Sequence, residues 1–231
     1  MNRKTAAVFL FAAAFALAAI AGSKEDEWLI NRWRAKTAES AEALNKGDYK
    51  QSLRIADGLI KEMMEGLGPG NASTDFFGAI IVHKALANAG LGKQDDAWWY
   101  WQTALALAPK AAETTLAMFA EPAKLLHEPP AANAPPAGMI GGDVVAPRLL
   151  RKVEPAYPRG AHAFAVDGKL VVEVTINRAG VVTAPHIVKS LPAPTLSYAA
   201  LEAVKQWRFR PGYLAGEPVE VLFNVTINYR K

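Results

Sequence analysis

The chain's four histidines, His83, His127, His162 and His186, stand too far apart in sequence for the short ligand spacings of a metal site. Cysteine is absent, which removes thiolate ligands, a thiol nucleophile, disulfides and a lipid-anchored N-terminal cysteine. Neither Gly-x-Ser-x-Gly nor His-Glu-x-x-His occurs, so two common hydrolytic arrangements are missing. Gly90-Leu91-Gly92-Lys93-Gln94 comes nearest to a phosphate-cradling loop. It lacks the first glycine at the required spacing and the Ser/Thr after the lysine, and it reads as a hairpin turn. No catalytic residue, metal ligand or cofactor is expected.

Binding chemistry is better supplied. Residues 219–229 alternate cleanly. Val219, Val221, Phe223, Val225, Ile227 and Tyr229 share one face. Glu220, Asn224, Thr226, Asn228 and Arg230 fill most of the other, with Leu222 among them. A last strand this long is expected to outrun its neighbours and leave unpaired N–H and C=O groups at an edge. An extended peptide can join a sheet at such an edge, which is β-augmentation. Trp98, Trp99, Tyr100 and Trp101 are a second cluster. Successive helical residues point about 100° apart, so all four cannot face a core. Trp98 and Trp101 are expected to share the packed face. Trp98, Trp99 and Tyr100 are then candidate residues of a partner groove, with packing against a flanking helix as the alternative. Trp207 is expected to close a helix onto a sheet, and Arg208 to cap or pair nearby.

The elements that position these residues fall into an α+β plan. Residues 24–126 are helical in pattern. Leu53, Ile55, Ala56, Leu59 and Ile60 recur at helical spacing after a Gly47-Asp48-Tyr49 turn. A helix over 76–89 is broken at Gly90-Leu91-Gly92. Asp95 or Asp96 is expected to cap the next, and Pro109 to stop it. Residues 65–73 read as a loop, and residues 114–126 as a closing helix. Residues 127–147, with five prolines, read as an extended spacer.

In the remainder, Leu170, Val172, Val174 and Ile176 alternate with Lys169, Glu173 and Thr175 as a half-buried strand. Gly180 turns the chain into a second strand, where Pro185 argues for an edge or a bulge. Leu196, Ala200, Val204 and Trp207 form one stripe of a helix over 196–207, with Glu202, Lys205 and Gln206 expected to face water. The order is strand, strand, helix, strand: an antiparallel sheet covered by one helix.

Two resemblances sharpen this plan. Tyr157-Pro158 followed by Ala161, then Gly168, Gly180, Ser190, Ala200-Leu201, Trp207-Arg208-Phe209-Arg210-Pro211 and the Gly216-x-Pro218-Val219 step stand in one order. That order resembles the C-terminal domain of the TonB family of periplasmic energy transducers, over residues 148–231. The resemblance implies a non-catalytic domain that grips a short peptide from an outer-membrane transporter. It assigns the contacts to the segment around Tyr-Pro (Glu154, Tyr157, Pro158, Arg159) and to the last strand (Glu220, Leu222, Asn224, Thr226, Asn228, Arg230). Glu154, Pro155 and Ala156 stand where family members carry glutamine, and the spacer is shorter than the family's proline-rich arm. Residues 85–109, with Ala85, Ala89, Gly92, Ala97, Trp101, Ala104 and Pro109 in place, resemble a tetratricopeptide repeat.

Arg3 and Lys4, the apolar residues 5–20 and the Ala19-Ile20-Ala21 step read as an export signal over residues 1–21. An uncleaved inner-membrane anchor is the alternative, although the run falls slightly short of the roughly 20 residues that span a bilayer. Either reading places the rest in the periplasm. Residues 24–128 hold 12 Lys+Arg against 15 Asp+Glu, and residues 144–231 hold 12 against 6. Export argues against nucleic acid as the partner of that basic half. An acidic peptide, a lipid surface or a cell-wall polymer fits the compartment better, with a solvated basic face and no partner as the alternative. The partner the resemblance implies is a peptide of an outer-membrane transporter or other envelope protein. Inner-membrane association and a homodimer by strand exchange stay open. The competing function is a periplasmic scaffold whose helical groove binds another envelope protein or cell wall without energy coupling.

Overall fold

The computed structural model describes residues 24–66, 71–127, 138–139, 143–162 and 167–230. The expected export signal lies outside them, as does most of the proline-rich spacer. The fold is α+β. Six helices come first: α1 (Lys24–Asn45), α2 (Tyr49–Gly66), α3 (Asn71–Gly90), α4 (Gln94–Leu107), α5 (Pro109–Ala117) and α6 (Ala120–Ala123). Helices α1 and α2, then α3 and α4, form hairpins closed by short turns. Asp48 caps α2, its Oδ1 accepting the Gln51 N–H at 3.1 Å.

Several boundaries differ from those expected. Of the loop expected over 65–73, both ends are helical, since α2 runs to Gly66 and α3 starts at Asn71, and residues 67–70 lie outside the described residues. Lys93, and neither aspartate, precedes α4, and it makes no side-chain cap. Asp95 and Asp96 sit in the first turn, where their charge suits the helix dipole. Helix α4 ends at Leu107, and Pro109 then opens α5 at a position that needs no N–H. The closing helix over 114–126 is divided between α5 and α6.

Phe77, Leu44, Leu59, Met63, Ile80, Ile81 and Leu86 are fully buried between the hairpins. His83 is buried among them. Its Nδ1 lies 3.0 Å from Ser40 Oγ, which lies 2.9 Å from Ser52 Oγ, and its ring meets Phe119 edge-on at 5.1 Å. Burial lowers the His83 pKa to about 3. The unfolded chain therefore binds a proton near pH 6.5 that the folded chain refuses until about pH 3. Stability is expected to fall as pH drops through that window, by up to about 4 kcal/mol. Urea denaturation of wild type and His83→Leu at pH 7 and pH 4 checks this. An equal acid loss in both proteins contradicts it.

The second half holds β1 (Gly138–Met139), β2 (Arg148–Arg151), α7 (Arg159–His162), β3 (Gly168–Ile176), β4 (Val182–Lys189), α8 (Pro194–Val204), β5 (Arg208–Arg210), β6 (Gly212–Leu214), β7 (Glu217–Val219) and β8 (Val221–Tyr229). The main sheet runs β1-β8-β3-β4, while β2 pairs β5 and β6 pairs β7. Strands β3 and β8 pair along their full length, from Gly168 opposite Tyr229 to Ile176 opposite Val221. The last strand therefore does not outrun its neighbour. Nor is it continuous over 219–229, since Val219 belongs to the β6–β7 hairpin. Pro185 lies in β4 on the sheet's edge, beside Ala184 at φ 45°, where the register shifts as a bulge requires.

Helix α8 is shorter than expected, and every residue of it except Glu202 is buried. One-sided cover of a sheet cannot produce that. The sheet lies on one side of α8, and the helical hairpins close the other, where Tyr198 meets Phe77 edge-on at 5.2 Å. Glu202 and Lys205 consequently do not face water freely: Glu202 is half-buried, and Lys205 pairs with Asp96 at 2.6 Å. Helix α4 lies against β4, and α7 against α2.

Candidate functional site

The main sheet has two margins, and they differ. At β4 the margin is flanked by α4. At β8 the inner side is taken by β3, and the outer side is paired only at Val221 and Leu222, by Gly138 and Met139 of β1 in a parallel ladder. Among the described residues no strand covers the outer side over 223–229. The spacer is therefore more than a tether, because two of its residues occupy the head of the candidate edge.

Alternation sets what this edge presents. Asn224, Thr226 and Asn228 are exposed, and Val225, Ile227 and Tyr229 are buried. Leu222 is half-buried, Glu220 sits just before the strand, and Arg230 is exposed just after it. Tyr157 joins the far end, its ring edge-on to Tyr229 at 5.7 Å. Tyr229 donates its hydroxyl to the Leu196 carbonyl at 2.9 Å, and burial raises its pKa. Pro158 is buried beneath the same corner. The structure thus brings Tyr157 and Pro158 to the strand's end.

Glu154 and Arg159 remain outside that corner. Glu154 pairs with Lys152 at 2.6 Å, and Arg159 reaches Glu65 of α2 at 3.6 Å. Trp207 fixes the approach to Tyr157, since its indole N–H donates to the Val153 carbonyl at 2.8 Å. Arg208 donates to the carbonyls of Lys205 and Trp207 at the end of α8, at 3.1 and 2.7 Å.

The aromatic run packs against neighbouring elements, the other of the two readings, but through the face opposite to the one expected. Trp99 and Tyr100 are buried, and Trp98 and Trp101 are half-buried. Tyr100 packs toward α8, between the ammonium groups of Lys84 at 4.1 Å and Lys205 at 4.2 Å from its ring centre. Its hydroxyl donates to Glu202 at 3.5 Å, and Lys84 donates to the Tyr198 hydroxyl at 3.3 Å. Burial raises the Glu202 carboxyl pKa, against the pull of Lys84 and Lys205. A groove lined by Trp99 and Tyr100 is not open, because α8 fills that space. Periodicity within α4 carries no information about a helix a hundred residues later, so this partner was illegible in sequence.

Among the described residues no group of three or more His, Asp or Glu is placed to hold a metal ion, and no helix is long and apolar enough to cross a membrane.

Residues 153–230 match the protein family described as the Gram-negative bacterial TonB protein C-terminal. Over 79 residues the chain is 32% identical to Protein TonB of Vibrio cholerae, a match covering 34% of this chain and 32% of that protein. Over 90 residues it is 32% identical to Protein TonB of Yersinia enterocolitica, covering 38% and 35%. Over 80 residues it is 30% identical to Protein TonB of Escherichia coli, covering 34% of each. The chain spans about a third of the length of these relatives. The solution NMR structure of the Pseudomonas aeruginosa TonB CTD aligns at 24% identity with a TM-score of 0.33, covering 42% of this chain and 96% of that one. Residues 153–230 are thus similar to TonB C-terminal domains, and a helical region precedes them.

Proposed function

We propose that this chain is a periplasmic peptide-docking protein of a TonB-type transport system. It receives an extended segment of an outer-membrane transporter along the outer side of β8. The observation that carries the reading is the half-empty ladder: full pairing with β3 on one side and, among the described residues, pairing with β1 at two positions on the other. An incoming backbone supplies the missing partners over 223–229. Asn224, Thr226 and Asn228 face outward beside it, Tyr157 closes one end, and Glu220, Leu222 and Arg230 flank the strand. The seating of Gly138 and Met139 on this side supports the reading, since an extended segment already fits there. The scaffold alternative is less supported, because two of its three groove candidates, Trp99 and Tyr100, are buried, and Trp98 alone is half-buried.

The test is capture of the full chain on immobilised peptides copying the periplasmic N-terminal segments of outer-membrane transporters. Capture is expected, and Asn224→Pro is expected to weaken it at least tenfold through distortion of the strand. A second arm leaves the protein intact. Peptides N-methylated at alternate amides lose the donors a ladder needs, and one of the two methylation phases is expected to abolish capture. Absence of capture, or capture indifferent to both methylation phases, ends the reading.

A further inference from the structure

The ribbon of β2 and β5 carries a charge arrangement that the peptide edge does not use. Its cross-strand partners are Arg148 opposite Arg210 and Arg151 opposite Arg208. Like charges directly opposite weaken a ladder, yet this short ribbon holds two such pairs. All four arginines are exposed. None is in an ion pair among the described residues. Arg208 is steadied by two backbone carbonyls, and Arg210 lies over the Tyr213 ring at 5.4 Å. The ribbon continues through a bridge between Val145 and Tyr213.

Exposed apolar side chains accompany these charges along the chain. Leu150 is 67% exposed, Val145 64%, and Leu149 and Leu214 40% each. They belong to the same ribbon or to β6, which follows it directly. We infer that this ribbon docks the protein onto an anionic lipid surface. Guanidinium groups match headgroup phosphates, and the leucines and valine match the acyl boundary just below. An acidic peptide accounts for the arginines but not for the exposed Leu150 and Val145. Single-stranded nucleic acid needs exposed aromatic platforms, and the exposed residues between these arginines are aliphatic.

The test is sedimentation of the full chain with vesicles of equal phosphatidylglycerol and phosphatidylcholine, compared with phosphatidylcholine alone. The readout is the ratio of the two affinities, so that attachment through residues 1–21 cancels. Wild type is expected to prefer the anionic vesicles, with the preference shrinking as salt rises. The double variant Arg148→Gln/Arg210→Gln is expected to reduce the ratio at least tenfold, at about 1 kcal/mol per arginine. Leu150→Ser is expected to weaken anionic-vesicle binding severalfold without changing its salt slope. Both variants alter exposed side chains, and circular dichroism checks that they fold. A ratio near one for wild type, or one unchanged in the arginine variant, overturns the inference. So does an arginine-dependent capture on poly-glutamate that exceeds vesicle binding and ignores Leu150→Ser, which identifies an acidic protein surface instead.

Discussion

Gly180→Ala is expected to destabilise the C-terminal module by more than about 3 kcal/mol, a large share of the roughly 5–15 kcal/mol that keeps an ordinary domain folded. Gly180 sits at φ +73°, and a Cβ placed there lies 1.7 Å from the Phe209 carbonyl oxygen. That atom is backbone, so no side chain can swing aside. Phe209 cannot retreat either, because its N–H donates to the Gly180 carbonyl at 2.9 Å. The turn is held from within as well: Asn177 Oδ1 accepts the N–H groups of Ala179 and Val181 at 3.0 and 2.9 Å. Gly216 supplies the control. It has φ +86°, and a Cβ added there meets nothing within 4 Å. Gly216→Ala therefore carries only the conformational cost of about 1 kcal/mol. Thermal melts of the two variants separate clash from strain. Equal losses sink the argument.

Tyr198→Ala is expected to cost about 3 kcal/mol and to separate the unfolding of the two halves. Tyr198 is buried on α8 with its ring against Phe77, and its hydroxyl takes a hydrogen bond from Lys84 of α3. Truncation leaves a cavity and removes that partner. Nearby pairings are more exposed and count for less, the Lys205–Asp96 bridge included. Urea unfolding followed by far-ultraviolet circular dichroism and by tryptophan fluorescence is the measurement. In wild type the two probes are expected to coincide, because the shared interface couples the halves. In the variant the fluorescence transition splits in two while dichroism follows its larger step, since Trp28, Trp33, Trp98, Trp99 and Trp101 report the helices and Trp207 the sheet. Coincident transitions with a loss below about 1 kcal/mol refute the coupling.

Much of this was legible from residue order. The alternation of Leu170, Val172, Val174 and Ile176 gave β3, Pro185 gave an edge strand with a bulge, and the run from Tyr157 to Val219 gave the module. Local patterns report which face of an element is buried, and they succeed where burial has one cause. They fail where two surfaces meet. Glu202 and Lys205 carry the polarity of solvent-facing residues, and only the approach of α4 turns them inward. The same approach reversed the roles of Trp98 and Trp99. The edge was anticipated for a reason the register denies: among the described residues β8 is paired on its outer side only at Val221 and Leu222, while its length matches β3 throughout. The pairing of Gly138 with Val221 joins residues far apart in sequence and has no periodic trace.

The unequal margins of the main sheet also limit self-association. A sheet open on both sides can recruit copies without end and grow into a filament. Here α4 packs against β4, while among the described residues no strand lies on the outer side of β8 over 223–229. Two copies meeting there would join the same strand to itself, about a twofold axis, and that union would occupy the open ladder of β8 on each, so pairing at this margin closes at two.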